Sequence, residues 1–233
     1  MQDLAAERAF YDELFERNPE NEHITQGYDE LHDLVFGDDR GGTVLDLGCG
    51  TGAHAVRIAR RGYDVIAVDL THRGVRSARE RFQKAGLAGR FVVADAERLP
   101  FREGVARITW TSLLLHHFPK LDTLPSELAR VTRERLVAFE PNARNLLTWL
   151  AFNVVNRVWG ISGMTPNQKA LTPRGLDRIF RPMGLATEEV HYVDRPWSDR
   201  MGFARRMYAT LSRALPIRYR ANKFLITFAR NGG

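Results

Sequence analysis

Cysteine is all but missing. Cys49 is the only one, so no disulfide can form within the chain and nothing argues for an oxidising compartment. Lysine is scarce too, confined to Lys84, Lys120, Lys169 and Lys223, and arginine carries almost all the positive charge. No apolar run reaches the ~20 residues that a membrane-spanning helix needs. The opening "MQDLAAERAFYDELFERNPE" is charged throughout, unlike a secretory leader, so a cytoplasmic chain is the expectation. Cys/His/carboxylate spacings typical of a tightly held metal are absent as well, and no metal is expected.

What is present is enough for a full core. A chain of 233 residues can form one α/β domain or one domain with an inserted lid. The formal net charge of +6 is unevenly spread: from Arg195 to Arg230 there are nine Arg or Lys residues and one acid, Asp199. Such a basic stretch can meet phosphate, an anionic membrane surface or an acidic substrate, or it can simply be solvated.

Periodicity places helices over 3–17 and in "ITQGYDELHDLVF", with "NPEN" between them. "GTVLDLG" reads as a buried strand that runs into a glycine turn, and the helix "HAVRIARRG" follows. "YDVIAVDL" and "RFVVADAERLPF" read as further strands, with the helix "GVRSARERFQKAG" between them. "ARITWTSLLLHHF" reads as strand four, "LPSELARVTRE" as a helix and "RLVAFEPN" as strand five. This alternation implies right-handed crossovers and a doubly wound parallel sheet, with ligands beyond the carboxyl ends of the strands. "LTPRGLDRIFRPMGL" starts a helix, with Thr172 as cap and Pro173 in its first turn. "ATEEVHYV" and "NKFLITFAR" read as closing strands.

The glycine turn "GCGTGA" satisfies the dinucleotide pattern through Gly48, Gly50 and Ala53, and Asp69 supplies the acid about 20 residues on that a ribose needs. A nicotinamide cofactor is thus one reading. Asp46, immediately before the turn, weighs against it, because a carboxylate repels a diphosphate but receives the ammonium of an amino-acid tail. Asp95, at the end of strand three, can accept from an adenine amino group while the Ala96 amide donates to the ring. "LLLHHF" and "EPN" gather further polar groups where a second substrate would lie.

With "VLDLGCGTG", "VIAVDLT", "ADAERLPF" and "LHHF" in this order, the chain resembles the class I S-adenosylmethionine-dependent methyltransferases, in their small-molecule (methyltransferase type 11-like) branch. The resemblance covers roughly residues 40–142. It implies a Rossmann-like α/β fold with a seven-stranded sheet, N-terminal helices and inserted lid helices. The implied cofactor, S-adenosyl-L-methionine, would have its ribose held by Asp69 and its adenine read by Asp95 and Ala96. Its methionine would lie over Asp46, Gly48 and Gly50, within the loop that Cys49 and Gly52 complete. Leu70 would pack on the adenine and Leu113 would lie beside the cofactor; Tyr11, Tyr28 and His23 of the N-terminal helices could close over the methionine end or serve ordinary packing. Two departures stand out: no "PGG" turn precedes strand five, and "ARITW" replaces the usual acidic start of strand four.

The boundaries follow: a single methyltransferase domain over 1–233, made of an N-terminal helical cap (1–39), a cofactor-binding core (40–142) and a lid insertion (143–170). A closing helix and strands occupy 171–233, with a basic helical insertion over 195–222. Methyl transfer to an oxygen or an activated carbon requires a proton acceptor, and His117, followed by His116, suits that task. If strand four continued, the two would point to opposite sides. Glu140 and Asn142 could orient a polar acceptor, or Asn142 could cap the next helix. In the lid, Leu147, Leu150, Ala151, Val154, Val155 and Val158 share one helical face, and Trp149, Phe152, Asn156 and Trp159 another. Such a helix suits a roof over a flat or lipid-like acceptor, a membrane surface or a homodimer contact.

The expected activity is methylation of an O, N or C nucleophile on a small, hydrophobic or aromatic metabolite. An RNA or protein methyltransferase and an NAD(P)-dependent oxidoreductase are the alternatives. Nucleic acid is disfavoured as a partner. Cys49 lies in the cofactor loop and so cannot be the nucleophile of cytosine-C5 chemistry, and "HHFPKL" is not the Asn/Asp-Pro-Pro-aromatic segment of exocyclic-amine methylation.

Overall fold

The computed structural model describes residues 4–17, 29–118, 120–158, 165, 168–194, 210, 212 and 214–231. Its strands are β1 (Thr43–Leu47), β2 (Asp64–Asp69), β3 (Arg90–Val93), β4 (Ala106–Ser112), β5 (Thr132–Pro141), β6 (Leu185–Val193) and β7 (Lys223–Arg230). They form one sheet in the order β3-β2-β1-β4-β5-β7-β6. Strands β1 to β5 pair in parallel, whereas β7 lies antiparallel between β5 and β6. Alternation along the sequence carried the parallel part. It does not encode the direction of the closing pair.

β1 shows why its residues make a central strand. Val44, Leu45 and Leu47 are buried, and both of its faces are covered, as a parallel strand requires. Val44 faces a layer with Val56 and Ile58 of α3 (Ala53–Arg60), Phe82 of α4 (His72–Lys84), and Leu31 and Phe36 of α2 (Asp29–Phe36). Leu45 and Leu47 face the opposite layer with Leu124 and Leu128 of α5 (Leu124–Val131) and with Leu176 and Phe180 of helix Pro173–Phe180. Alternation then puts Asp46 on the first face, level with Ala67 of β2 and Trp110 of β4.

Several boundaries differ from the sequence reading. β4 stops at Ser112, and Leu115–His117 form one 3-10 turn. α5 ends at Val131, and Thr132 already belongs to β5, so no loop replaces the missing "PGG". Helix α1 spans Leu4–Arg17; Tyr28, His23 and Trp159 lie outside the described residues, as does most of 195–222. A helix over 146–158 follows β5, and its middle, Ala151–Val155, is π-helical. Asn145 is its cap and accepts from Thr148 N at 2.9 Å. Asn142 donates to the carbonyls of Arg218 and Ala221, so of its two expected roles the helix cap falls to Asn145 instead. Thr172 caps helix Pro173–Phe180 as expected, accepting from Gly175 N at 3.0 Å.

Candidate active site

β1 delivers Asp46 to the start of the glycine corner. The carboxylate is buried; it accepts from the Ala55 backbone, and Oδ2 has no partner among the described residues. Burial, then the charge of Asp69, pushes its carboxyl up to about 7. An ionised group here is under-solvated and calls for a cation.

The turn keeps its shape through backbone contacts. Gly48 and Cys49 donate to the Val68 carbonyl at 2.8 and 2.9 Å. Gly48 has φ 75°, and a Cβ there would sit 3.0 Å from Leu114 Cδ1, so the turn is both left-handed and close-packed. Asp69, at the end of β2, accepts from Gly50 N at 2.8 Å on Oδ2, and from Thr71 N and Oγ1 at 2.9 and 2.7 Å on Oδ1. A carboxylate has about four acceptor positions, so a ligand hydroxyl can still be received. Cys49 is buried, and burial pushes its thiol up, which makes it inert. Leu70 is half-buried beside Asp69.

After β3, the Ala94 amide donates to the Asp69 carbonyl at 3.0 Å, tying that segment to the turn. Asp95 Oδ1 accepts from Glu97 N at 2.9 Å, and Asp95 and Ala96 are both half-buried. After β4, Leu113 adopts φ 54°, the one non-glycine residue in the left-handed region among those described. Such a conformation costs about 1–3 kcal/mol and gathers at functional sites. It ends the strand and starts the histidine turn.

Glu140, from β5, holds that turn in place. It is buried; Oε1 accepts from Leu114 N and Leu115 N at 3.0 and 2.7 Å, and Oε2 lies 2.7 Å from His116 Nδ1. Burial pushes its carboxyl up to about 7. Because a 3-10 turn replaces the strand, His116 and His117 do not diverge. Their ring centroids are 4.2 Å apart, which corrects the opposite-sides expectation. Burial lowers both, His116 to about 3 and His117 well below the ordinary range, so both are neutral at pH 7.

His117 meets groups from two distant segments. The Tyr11 hydroxyl of α1 lies 3.3 Å from both ring nitrogens, and Gln168 Nε2 lies 3.1 Å from Nδ1. Glu7 Oε2 is 3.9 Å from Nδ1, while Glu7 Oε1 accepts from Thr165 Oγ1 at 2.8 Å. Phe15 of α1 packs over Gly50. Burial, then the charges of Glu7 and Asp69, raises the Tyr11 phenol, which keeps its proton. The sequence pointed to Tyr11 but not to Glu7, Phe15, Thr165 or Gln168. Only Glu7's place one helical turn before Tyr11 could have signalled the first of these.

Residues 44–135 match the methyltransferase-domain family. Magnesium-protoporphyrin O-methyltransferase of Rhodobacter capsulatus is 29% identical over 179 residues, covering 74% of this chain and 77% of that protein. Demethylmenaquinone methyltransferase of Beutenbergia cavernae is 30% identical over 168 residues, covering 70% of this chain and 62% of that one. Other curated relatives are matched over less of their own length, down to 17%. The solved structure of magnesium protoporphyrin IX methyltransferase from Synechocystis PCC 6803 with bound SAM shares the fold, with a TM-score of 0.69, 15% identity and coverage of 99% and 98%. Family match and sheet order converge: residues 44–135 are similar to the methyltransferase-domain family and lie within a fold shared with a solved methyltransferase.

Proposed function

We propose that the chain is an S-adenosyl-L-methionine-dependent methyltransferase whose acceptor is a small, hydrophobic or aromatic metabolite with an O, N or C nucleophile. The observation that carries this reading is Asp46, whose buried Oδ2 lacks a partner beside a glycine corner. That site suits the ammonium of an amino-acid tail and opposes a diphosphate, which sets the NAD(P) reading aside. Two relatives are a magnesium-protoporphyrin O-methyltransferase and a demethylmenaquinone methyltransferase, and they motivate the acceptor class.

The residues present fit the cofactor. Asp46 would hold the ammonium, the Gly48–Gly52 turn would lie along the methionine, Asp69 would take a ribose hydroxyl, and Asp95 with the Ala96 amide would read the adenine. Leu70 and Leu113 would pack against it. When bound, the cofactor supplies a methyl group already activated on a cationic sulfur, so the protein's task is alignment and exclusion of water.

His117 is neutral and has the more accessible ring, with 12% of its side chain exposed against 6% for His116. It takes the acceptor's proton, and Glu7 supplies the negative charge that steadies the resulting imidazolium. Glu140 and His116 act as positioning residues: one carboxylate fixes the turn that aims His117. Tyr11 and Gln168 set which ring nitrogen carries hydrogen.

Calorimetry with S-adenosylhomocysteine and, separately, NAD(P)H tests the cofactor. Binding of the first alone is expected, and tight binding of the nicotinamide alone would overturn the reading. An RNA acceptor would show salt-dependent RNA binding; a flat or absent response is expected.

A further inference from the structure

The helix over 146–158 is amphipathic in the reverse sense for a soluble protein. Its buried row is Thr148, Phe152 and Asn156, while Leu146, Trp149, Leu150, Val154 and Val158 are exposed, at 58%, 44%, 36%, 37% and 63%. A surface helix ordinarily buries the apolar row and wets the polar one. The inversion is anchored. Thr148 Oγ1 bonds Asn145, Asn156 Nδ2 donates to the Thr165 carbonyl at 2.8 Å, and Phe152 packs edge-on against His116. Leu146, Leu150, Val154 and Val158 recur every four positions, so the exposed row runs along the whole helix.

The patch continues beyond this helix. Asn145 Nδ2 reaches the Arg220 carbonyl, which brings in the exposed Leu215, Ile217 and Tyr219. The guanidinium groups of Arg144 and Arg218 lie over the Tyr219 ring at 5.8 and 5.1 Å. The sequence contains no Asp or Glu between Glu140 and Asp177, and none from Arg200 to Gly233. An exposed apolar band flanked by arginines is the pattern of a surface that meets anionic lipid. A second copy of the chain fits poorly, because a two-fold contact would set arginine against arginine. No described helix is long and apolar enough to cross a membrane, which leaves lying on the surface.

We infer that this face docks on an anionic phospholipid bilayer, with the 146–158 helix lying in the interface. Resting on the methyl-transfer reading, the same helix then links the bilayer to the histidine turn through Phe152, and the acceptor arrives from the lipid.

The test is co-sedimentation of the full chain with phosphatidylcholine vesicles, with and without phosphatidylglycerol. The chain is expected to pellet with the anionic vesicles and to release at high salt. The double variant Leu150→Glu/Val154→Glu changes two exposed positions and should bind about tenfold or more weakly. Arg144→Glu/Arg218→Glu provides a second variant should the first fail to fold. Absent binding, or equal binding by the folded variants, overturns the proposal. So does a dimer that Leu150→Glu/Val154→Glu splits while vesicles go unbound. Calorimetry with S-adenosylhomocysteine on the same samples separates the two readings: cofactor binding without vesicle binding sinks only the docking, and the converse sinks only the methyl transfer.

Discussion

On the proposed reading, Asp46 is expected to couple ligand binding to pH. Its carboxyl stands near 7 because it is buried, so at or below pH 7 much of it is protonated. An arriving ammonium favours the ionised form and lowers that pKa, which expels a proton. Affinity for S-adenosylhomocysteine should therefore rise as pH climbs toward and through 7. Calorimetry in buffers of different ionisation enthalpy should detect up to one proton released. Asp46→Asn should abolish the release and weaken binding by about 1.5–3 kcal/mol, roughly ten- to a hundredfold. A proton count unchanged in that variant would move the role to another group. Asp69 also has a raised carboxyl, but Thr71 and Gly50 already stabilise its ionised form, so it contributes less to this linkage.

Between α3 and α4 the chain tolerates no side chain at Gly52. A Cβ there would lie 2.7 Å from Ala78 Cβ and 2.8 Å from Ala78 Cα, and φ is 79°. Gly52→Ala should cost about 2–4 kcal/mol in urea unfolding. Adding Ala78→Gly should rescue only part of this, because Ala78 Cα still lies 2.8 Å from the new Cβ and φ stays positive; complete rescue would show that neither the remaining contact nor the backbone carries strain. The corner was legible in the sequence because glycine spacing and a flanking acid are local signals. So were β1 to β3, whose short apolar runs end in acids or glycines. The histidine turn was not, because what ends β4 is a carboxylate from β5 reaching across to the amides of Leu114 and Leu115. Trp149 was placed with Phe152 on an ideal α-helical period, but Phe152 is buried and Trp149 is exposed with Leu150. Glu7 and Gln168 beside His117 escaped notice because they come from more than 50 positions away, and no periodicity records such an encounter.

Over the whole molecule, four histidines stay neutral because they are buried. His32, pushed to about 3, lies 2.9 Å from the ring of His54, and both pack against Trp110; His116 and His117 form the other pair. Unfolding frees each to take a proton below its ordinary value of 6.5, so stability falls as pH drops from there. Asp46 and Glu140, both raised to about 7, oppose this, since the folded chain holds their protons longer. Glu7, Asp69 and Glu97 are raised too, though less far, and add to that opposition; the four strongly lowered histidines still set the sign, on the order of 1 kcal/mol per pH unit. Urea midpoints at pH 5, 6 and 7 should rise in that order, and a flat series would mean that the rings are already charged when folded. The sheet order carries a further consequence for biosynthesis. β7 follows the other six described strands of the sheet in the chain, yet it lies between β5 and β6. Until it emerges from the ribosome, one flank of β5 is an open edge and β6 has no partner, so the nascent chain is most prone to sticking just before its sheet can close.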